Sequence, residues 1–244
     1  MAVGERDLAA PDLGGAEPCV GVGSAASAMG PDAVVLDGVD VERGGVPVLR
    51  DAHLSVPAAA VVGVTGRNGS GKSTLLAVLA TLVRPVQGRV SVLGADVSDG
   101  GVSQSVRSRI GYVAHEPALH PGRTIREELT LVATLRGRGV DDVEAALARV
   151  GLAGAADRRV AHCSQGMRRR ADLARAALGE PELLLLDEAD SGLDPDATAA
   201  VADLVTDVRG RGGATVLVGH DPVGLAATCE TVWTVRAGRV EALA

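Results

Sequence analysis

The residues best suited to chemistry lie in Gly66-Arg67-Asn68-Gly69-Ser70-Gly71-Lys72-Ser73-Thr74. They match G-x-x-x-x-G-K-[ST], the loop that cradles a phosphate chain. Glycines let successive backbone N–H groups turn toward an anion, and the helix that follows presents its positive end to it. Lys72 would reach the β- and γ-phosphates, and the Ser73 hydroxyl would ligate Mg2+. Lys72 is the single lysine of the chain and Asn68 its single asparagine; every other Lys/Arg position is arginine. A compact ammonium stands where the planar fork of arginine is no substitute. A second reactive pair, Asp187-Glu188, ends the run Leu183-Leu184-Leu185-Leu186. Such a run is expected of a parallel strand covered on both faces, and ligands in open α/β sheets bind where such strands end. Asp187 would hold Mg2+, directly or through water, and Glu188 would orient and deprotonate the attacking water.

Strands and helices must bring these groups together. Val61–Thr65 reads as a short buried strand before the loop, and Leu75–Ala80 as the start of a helix that ends near Arg84-Pro85. Ahead of them, Val34–Leu36 with Val39–Val41 reads as one strand, and Val48-Leu49 with His53–Val56 as another, with a turn at Gly44-Gly45. Gln87–Gly94 reads as a turn and strand, Val106–Arg109 as a short basic helix, and Ile110–Ala114 as a strand. From Glu116 the pattern is helical. Thr124-Ile125-Arg126-Glu127 has capping-box spacing, Asp141–Val150 is amphipathic with Gly151 suited to its C-cap, and a third helix spans Met167–Leu178. A helix over Pro195–Arg209, a strand over Thr215–Val218, a helix over Pro222–Cys229 and a hairpin at Ala237-Gly238 complete the chain. The expected fold class is α/β: a P-loop mixed-sheet core, an N-terminal antiparallel β portion, and an inserted helical subdomain over about 116–180. Residues 1–32 read as a disordered tail, rich in Ala, Gly, Pro and Asp, with Met29 as an alternative start; residues 33–244 form the domain.

With these elements placed, the chain resembles the ATP-binding cassette (ABC) family over roughly residues 34–240. Cys163-Ser164-Gln165-Gly166-Met167 is similar to the family signature L-S-G-G-Q, and it precedes Asp187 at a family-like spacing. The resemblance implies that Ser164, Gln165, Gly166 and Met167 face the γ-phosphate bound by a second subunit. Ser164 and the Gly166 backbone can donate to phosphate at a helix N-terminus. Ser191-Gly192-Leu193-Asp194-Pro195 resembles the D-loop that communicates between two ATP sites, with Asp194 its acidic residue, and His220 matches the switch histidine at the γ-phosphate. Where the family carries a Mg2+-ligating glutamine, this chain has His115, whose imidazole would reach the cation through water. Arg43 stands where an aromatic usually stacks on adenine and could stack by its guanidinium. Arg168-Arg169-Arg170 reads as ion pairing within the subdomain.

The family implies ATP and Mg2+ as ligands, a homodimer or heterodimer of cassettes, and a separately encoded permease at the cytoplasmic face of the cell membrane. Ser164–Met167 looks most like export-type signatures, and a histidine at the place of His115 is similar to haem exporter cassettes; the whole is similar to haem and multidrug exporter cassettes. The expected function is therefore the ATP-hydrolysing subunit of an exporter; the alternative is an ABC ATPase serving nucleic acid or the ribosome. A formal net charge of −7 and 1% aromatic residues speak against nucleic acid. Asp187-Glu188-Ala189-Asp190 also spells a helicase motif, but too little chain follows it for a second motor domain. Glu188 speaks against a purely regulatory nucleotide-binding module. Cys19, Cys163 and Cys229 lack metal or redox spacing.

Overall fold

The computed structural model describes residues 31–188 and 195–243. The N-terminal tail expected over 1–32 falls almost wholly outside the described residues, as do Ala189 and the D-loop residues 191–194. In chain order come β1 (Val34–Arg43), β2 (Val46–Val56), β3 (Val61–Thr65), α1 (Lys72–Leu79), β4 (Gln87–Val92) and β5 (Ala95–Asp96). Then follow α2 (Gln104–Arg107), β6 (Ile110–Val113), α3 (Ile125–Leu135), α4 (Val140–Arg149), α5 (Gln165–Ala177) and β7 (Leu183–Asp187). The chain closes with α6 (Pro195–Gly210), β8 (Ala214–Val218), α7 (Pro222–Thr228), β9 (Thr231–Arg236) and β10 (Arg239–Ala242).

Two sheets result. The N-terminal strands form an antiparallel sheet in the order β2-β1-β4-β5. The larger sheet has the order β10-β9-β3-β8-β7-β6, parallel throughout except for its last strand, β10. This is the mixed α/β architecture expected from the sequence.

Strand β7 shows why the apolar run reads as it does. Its side chains alternate between two cores, as the period of two requires. Leu183 and Leu185 point into the core shared with α1 and the antiparallel sheet, beside Leu36, Leu75 and Val216. Leu184 and Leu186 point into the core shared with the helices, beside Leu129, Leu147, Leu173 and Leu204. Both faces are covered, so no position can be polar until the strand ends at Asp187.

Local signals set the helix ends. Thr124 Oγ1 accepts from the Glu127 amide while the Glu127 carboxylate accepts from the Thr124 amide, the reciprocal cap expected at the start of α3. Gly151 takes φ +65° just beyond α4, as a C-terminal stop should.

Some expectations need correction. Helix α1 stops at Leu79, well before Pro85: Thr81 adopts φ +60°, and the Leu82 and Val83 amides fold back to the Ala77 carbonyl. The short helix expected over Val106–Arg109 begins two residues earlier, at Gln104, behind Ser103 as its N-cap. β2 is the single strand expected, two residues longer at its start (Val46), with Asp51 at φ +48°.

The double covering of β7 carries a stability prediction. Leu185→Ala, at a position with 0% exposure, is expected to lower the free energy of unfolding by about 3 kcal/mol. Urea unfolding measures it. A loss below about 1 kcal/mol would mean that the face of the strand turned toward α1 is not packed.

Candidate active site

Strand order builds the site. β3, β8, β7 and β6 are parallel neighbours, so the segments that leave their C-terminal ends meet along one edge of the sheet. They are the Gly66–Gly71 loop after β3, His220 after β8, Glu188 after β7 and His115 after β6.

The loop after β3 is held to its path by close approach. A Cβ on Gly66 would stand 2.5 Å from the Val235 carbonyl oxygen and 2.8 Å from Ser70 Oγ, at a φ of +148°. Gly71, at φ +113°, lies against Val48 and Leu49 of β2 and forms the N-cap of α1 without any side-chain cap bond. With no acidic residue in the first turn, the first N–H groups of α1 are left for an anion. Lys72 is 5% exposed, and its ammonium donates to the carbonyls of Gly66 (2.8 Å) and Arg67 (3.2 Å). Ser73 is exposed and Thr74 half-buried. The contact of Gly71 with β2 also brings the β1–β2 hairpin beside the loop, with Arg43 exposed at its turn.

Asp187 is 2% exposed, and its Oδ1 has no hydrogen-bond partner among the described residues. A buried carboxylate oxygen left alone costs about 1–3 kcal/mol or more, so the atom suits a cation. No group of three or more His, Cys, Asp or Glu that could hold a metal occurs among the described residues. One carboxylate and one hydroxyl, with phosphate oxygens completing the shell, is how Mg2+ is bound in nucleotide sites. Asp187 and Ser73 therefore fit Mg2+ brought in with a nucleotide.

Glu188 stands at φ +52°, an unusual conformation for a residue with a side chain. His220 Nε2 lies 2.8 Å from its Oε1, and His115 Nδ1 lies 2.8 Å from its Oε2. Burial pushes this carboxyl up, but the His220 hydrogen bond, with the charges of His115, His220 and Lys72, outweighs it and holds the group below its ordinary value. Glu188 therefore remains a carboxylate throughout the neutral range.

A buried cluster on α5 supports this arrangement from behind. Arg169, 5% exposed, donates to the Asp187 carbonyl at 2.6 Å and to the Ala114 carbonyl at 2.5 Å. Asp172, with 0% exposure, pairs with Arg175 at 2.7 Å, and Arg175 also reaches the Tyr112 carbonyl at 3.3 Å. Burial raises the Asp172 carboxyl above its ordinary value despite Arg175, Arg169 and the Ala118 amide. The ion-pair expectation for 168–170 thus needs correcting. Arg170 does pair, with Asp196 at 3.5 Å, but Arg169 is buried and holds main-chain carbonyls, while Arg168 is exposed. Sequence reasoning missed this role and missed Asp172 altogether. The three-residue spacing of Arg169, Asp172 and Arg175 on one helix face was the available signal.

The hydrogen bonds of Ser164–Met167 stay close to α5. Ser164 Oγ caps the helix by accepting from the Met167 amide at 3.2 Å, and Arg158 donates to Met167 Sδ at 3.7 Å. Ser164 and Gln165 are exposed, and Gly166 is half-buried. Asp194 lies outside the described residues.

A family model described as ABC transporter matches residues 49–191. The chain belongs to that family. It is 37% identical to methionine import ATP-binding protein MetN 1 of Burkholderia ambifaria, over 81% of this chain but 59% of that protein's length. Among solved structures it is similar to an ATP-binding subunit of an ABC transporter, at 27% identity and TM-score 0.77, covering 85% of this chain and 88% of that one. It is also similar to a dimeric post-hydrolysis ATP-binding cassette bound to ADP and Pi, at 26% identity and TM-score 0.76, covering 85% and 96% of the two chains. The cassette fold thus accounts for both sheets and for the placing of the site at the C-terminal ends of the parallel strands.

The α5 cluster generates a prediction for this cassette. Arg169→Met leaves Asp172 with one partner fewer and two carbonyls without a donor, and is expected to cost about 3 kcal/mol of stability in denaturant unfolding. Asp172→Ala is expected to cost less in that background than alone, because the carboxylate no longer serves Arg169 there. A double variant that simply sums the two single losses would contradict the coupling.

Proposed function

We propose that this chain is the ATP-binding and hydrolysing subunit of an ABC transporter. The observation that carries the reading is the carboxylate of Glu188, fixed between two imidazoles, one residue beyond the orphaned oxygen of Asp187. Backbone N–H groups of residues 66–71, Lys72 and the N-terminus of α1 bind the phosphates. Ser73 and Asp187 would hold Mg2+, which would supply neutralisation of the phosphate charge. Glu188 orients a water and takes its proton as the water attacks the γ-phosphorus, whose bond to the bridging oxygen breaks so that ADP leaves with that oxygen. His220 holds Glu188 from the β8 side and faces the γ-phosphate. Arg43 stacks on the base.

Ser164, Gln165, Gly166 and Met167 complete the site of a second cassette, so two copies, or one copy and a related cassette, sandwich two nucleotides. The exposure of Ser164 and Gln165 at a helix N-terminus supports this. Asp194 would link the two sites. Among the described residues no helix is long and apolar enough to cross a membrane. A separate membrane subunit would therefore hold the cassette at the cytoplasmic face and carry the solute. A formal net charge of −7 supports a membrane-protein partner over nucleic acid or the ribosome.

The direction of transport reads as import. The relatives' names specify methionine import, at 36–37% identity over four fifths or more of this chain, whereas the export reading rests on the signature and His115 and gains no support from those relatives. The solute itself is selected by the membrane subunit.

Glu188→Gln tests the reading. The variant is expected to bind MgATP within about threefold of the parent and to dimerise on binding it, while phosphate release falls by about 100-fold or more. Sedimentation and a phosphate-release assay measure the two effects. Turnover at the parental rate would remove Glu188 as the base.

A further inference from the structure

We infer that His115 is a positioning residue for the Glu188 carboxylate, making the loop after β6 part of the hydrolytic centre. This rests on the ATP-hydrolysing reading above. Strands β6 and β8 lie on either side of β7, so the loops that follow them approach Glu188 from opposite sides. Each supplies one imidazole to one carboxylate oxygen, His220 to Oε1 and His115 to Oε2, both at 2.8 Å. One such contact fixes where a carboxylate is but leaves it free to turn about Cγ–Cδ. Two contacts fix its plane as well. A carboxylate has about four lone-pair sites, so two donors still leave each oxygen able to accept from a water.

The main chain behind this contact is fixed too. The buried guanidinium of Arg169 holds the carbonyls of Ala114 and Asp187, the residues directly before His115 and Glu188. One side chain of α5 thereby sets the spacing of the two segments whose side chains then meet. The φ of +52° at Glu188 turns its side chain off the line of β7, toward the imidazoles. His115 is the more open of the pair, with 63% of its side chain exposed against 39% for His220. It is therefore the contact that movement of the β6 loop would break first.

His115 presents Nδ1, the ring nitrogen nearer the backbone. The amide nitrogen of asparagine sits at the same distance along the side chain, and it can donate. This gives a conservative rescue that a merely structural residue would not show. His115→Ala, or His115→Leu if the smaller variant folds poorly, is expected to lower kcat for ATP about tenfold, with KM within about twofold of the parent. His115→Asn should return kcat to within about threefold of the parent. The experiment is steady-state ATP hydrolysis by the full chain, with binding of a fluorescent ATP analogue measured on every variant and Glu188→Gln run alongside. An unchanged kcat in His115→Ala, an Asn variant as slow as the Ala variant, or a raised KM at constant kcat would each overturn the inference. If Glu188→Gln has lost turnover in those cases, the ATPase reading stands and only the role of His115 falls. If Glu188→Gln turns over like the parent, both fall together.

Discussion

A buried guanidinium is expensive to desolvate, and Arg169 is tolerable only because its donors meet two carbonyls while Asp172 supplies a nearby negative charge. Those carbonyls belong to the last residue of β7 and to the residue after β6, so the demand of one buried charge becomes a constraint on the catalytic edge of the sheet. Glu188 and His115 follow directly from the two anchored positions. The cluster also joins that edge to α5, whose first turn carries Ser164–Met167. On the proposed dimer reading, Arg169 connects the surface offered to a partner's nucleotide with the carboxylate that would serve the chain's own.

Parts of this were legible in the sequence and parts were not, for physical reasons. The phosphate loop is local: glycine positions and the lone lysine declare it, and its neighbours Val61–Thr65 and Lys72–Leu79 took the strand and helix forms that their patterns require. The Leu183–Leu186 run announced a strand covered on both faces, and Asp187 marks where that covering stops. The capping box at Thr124 was equally plain. What the sequence could not show is which loops converge on Glu188. The order β8-β7-β6 reverses the chain order and comes from parallel pairing between distant segments. The meeting of His115, Glu188 and His220 is a consequence of that pairing alone. The left-handed conformations of Thr81 and Glu188 were also hidden, because neither residue is a glycine. Arg169 read as one of three ion-pairing arginines of the subdomain, since burial of a cation depends on partners contributed by β6 and β7.

Kinship with methionine import ATP-binding proteins and with solved cassettes accounts for the fold and for the phosphate loop, but the chemistry still rests on side chains. Two features give the site its character. Asp187 keeps one oxygen unpaired in a buried place, a cost that a divalent cation relieves. Glu188 keeps its charge, because the imidazoles and Lys72 outweigh the burial that opposes it. On the proposed reading, a carboxylate that serves water beside one that takes a cation is a division of labour suited to hydrolysing a phosphoanhydride.

The central claim is that Asp187 is the protein's acidic donor to a nucleotide-borne cation, while its neighbour Glu188 serves the water instead. Mn2+ binding in the presence of ADP, followed by electron paramagnetic resonance, tests that division directly. The account predicts that Asp187→Asn weakens Mn2+ retention by about tenfold or more, whereas Glu188→Gln leaves it nearly unchanged. Equal retention by Asp187→Asn and the parent would contradict it.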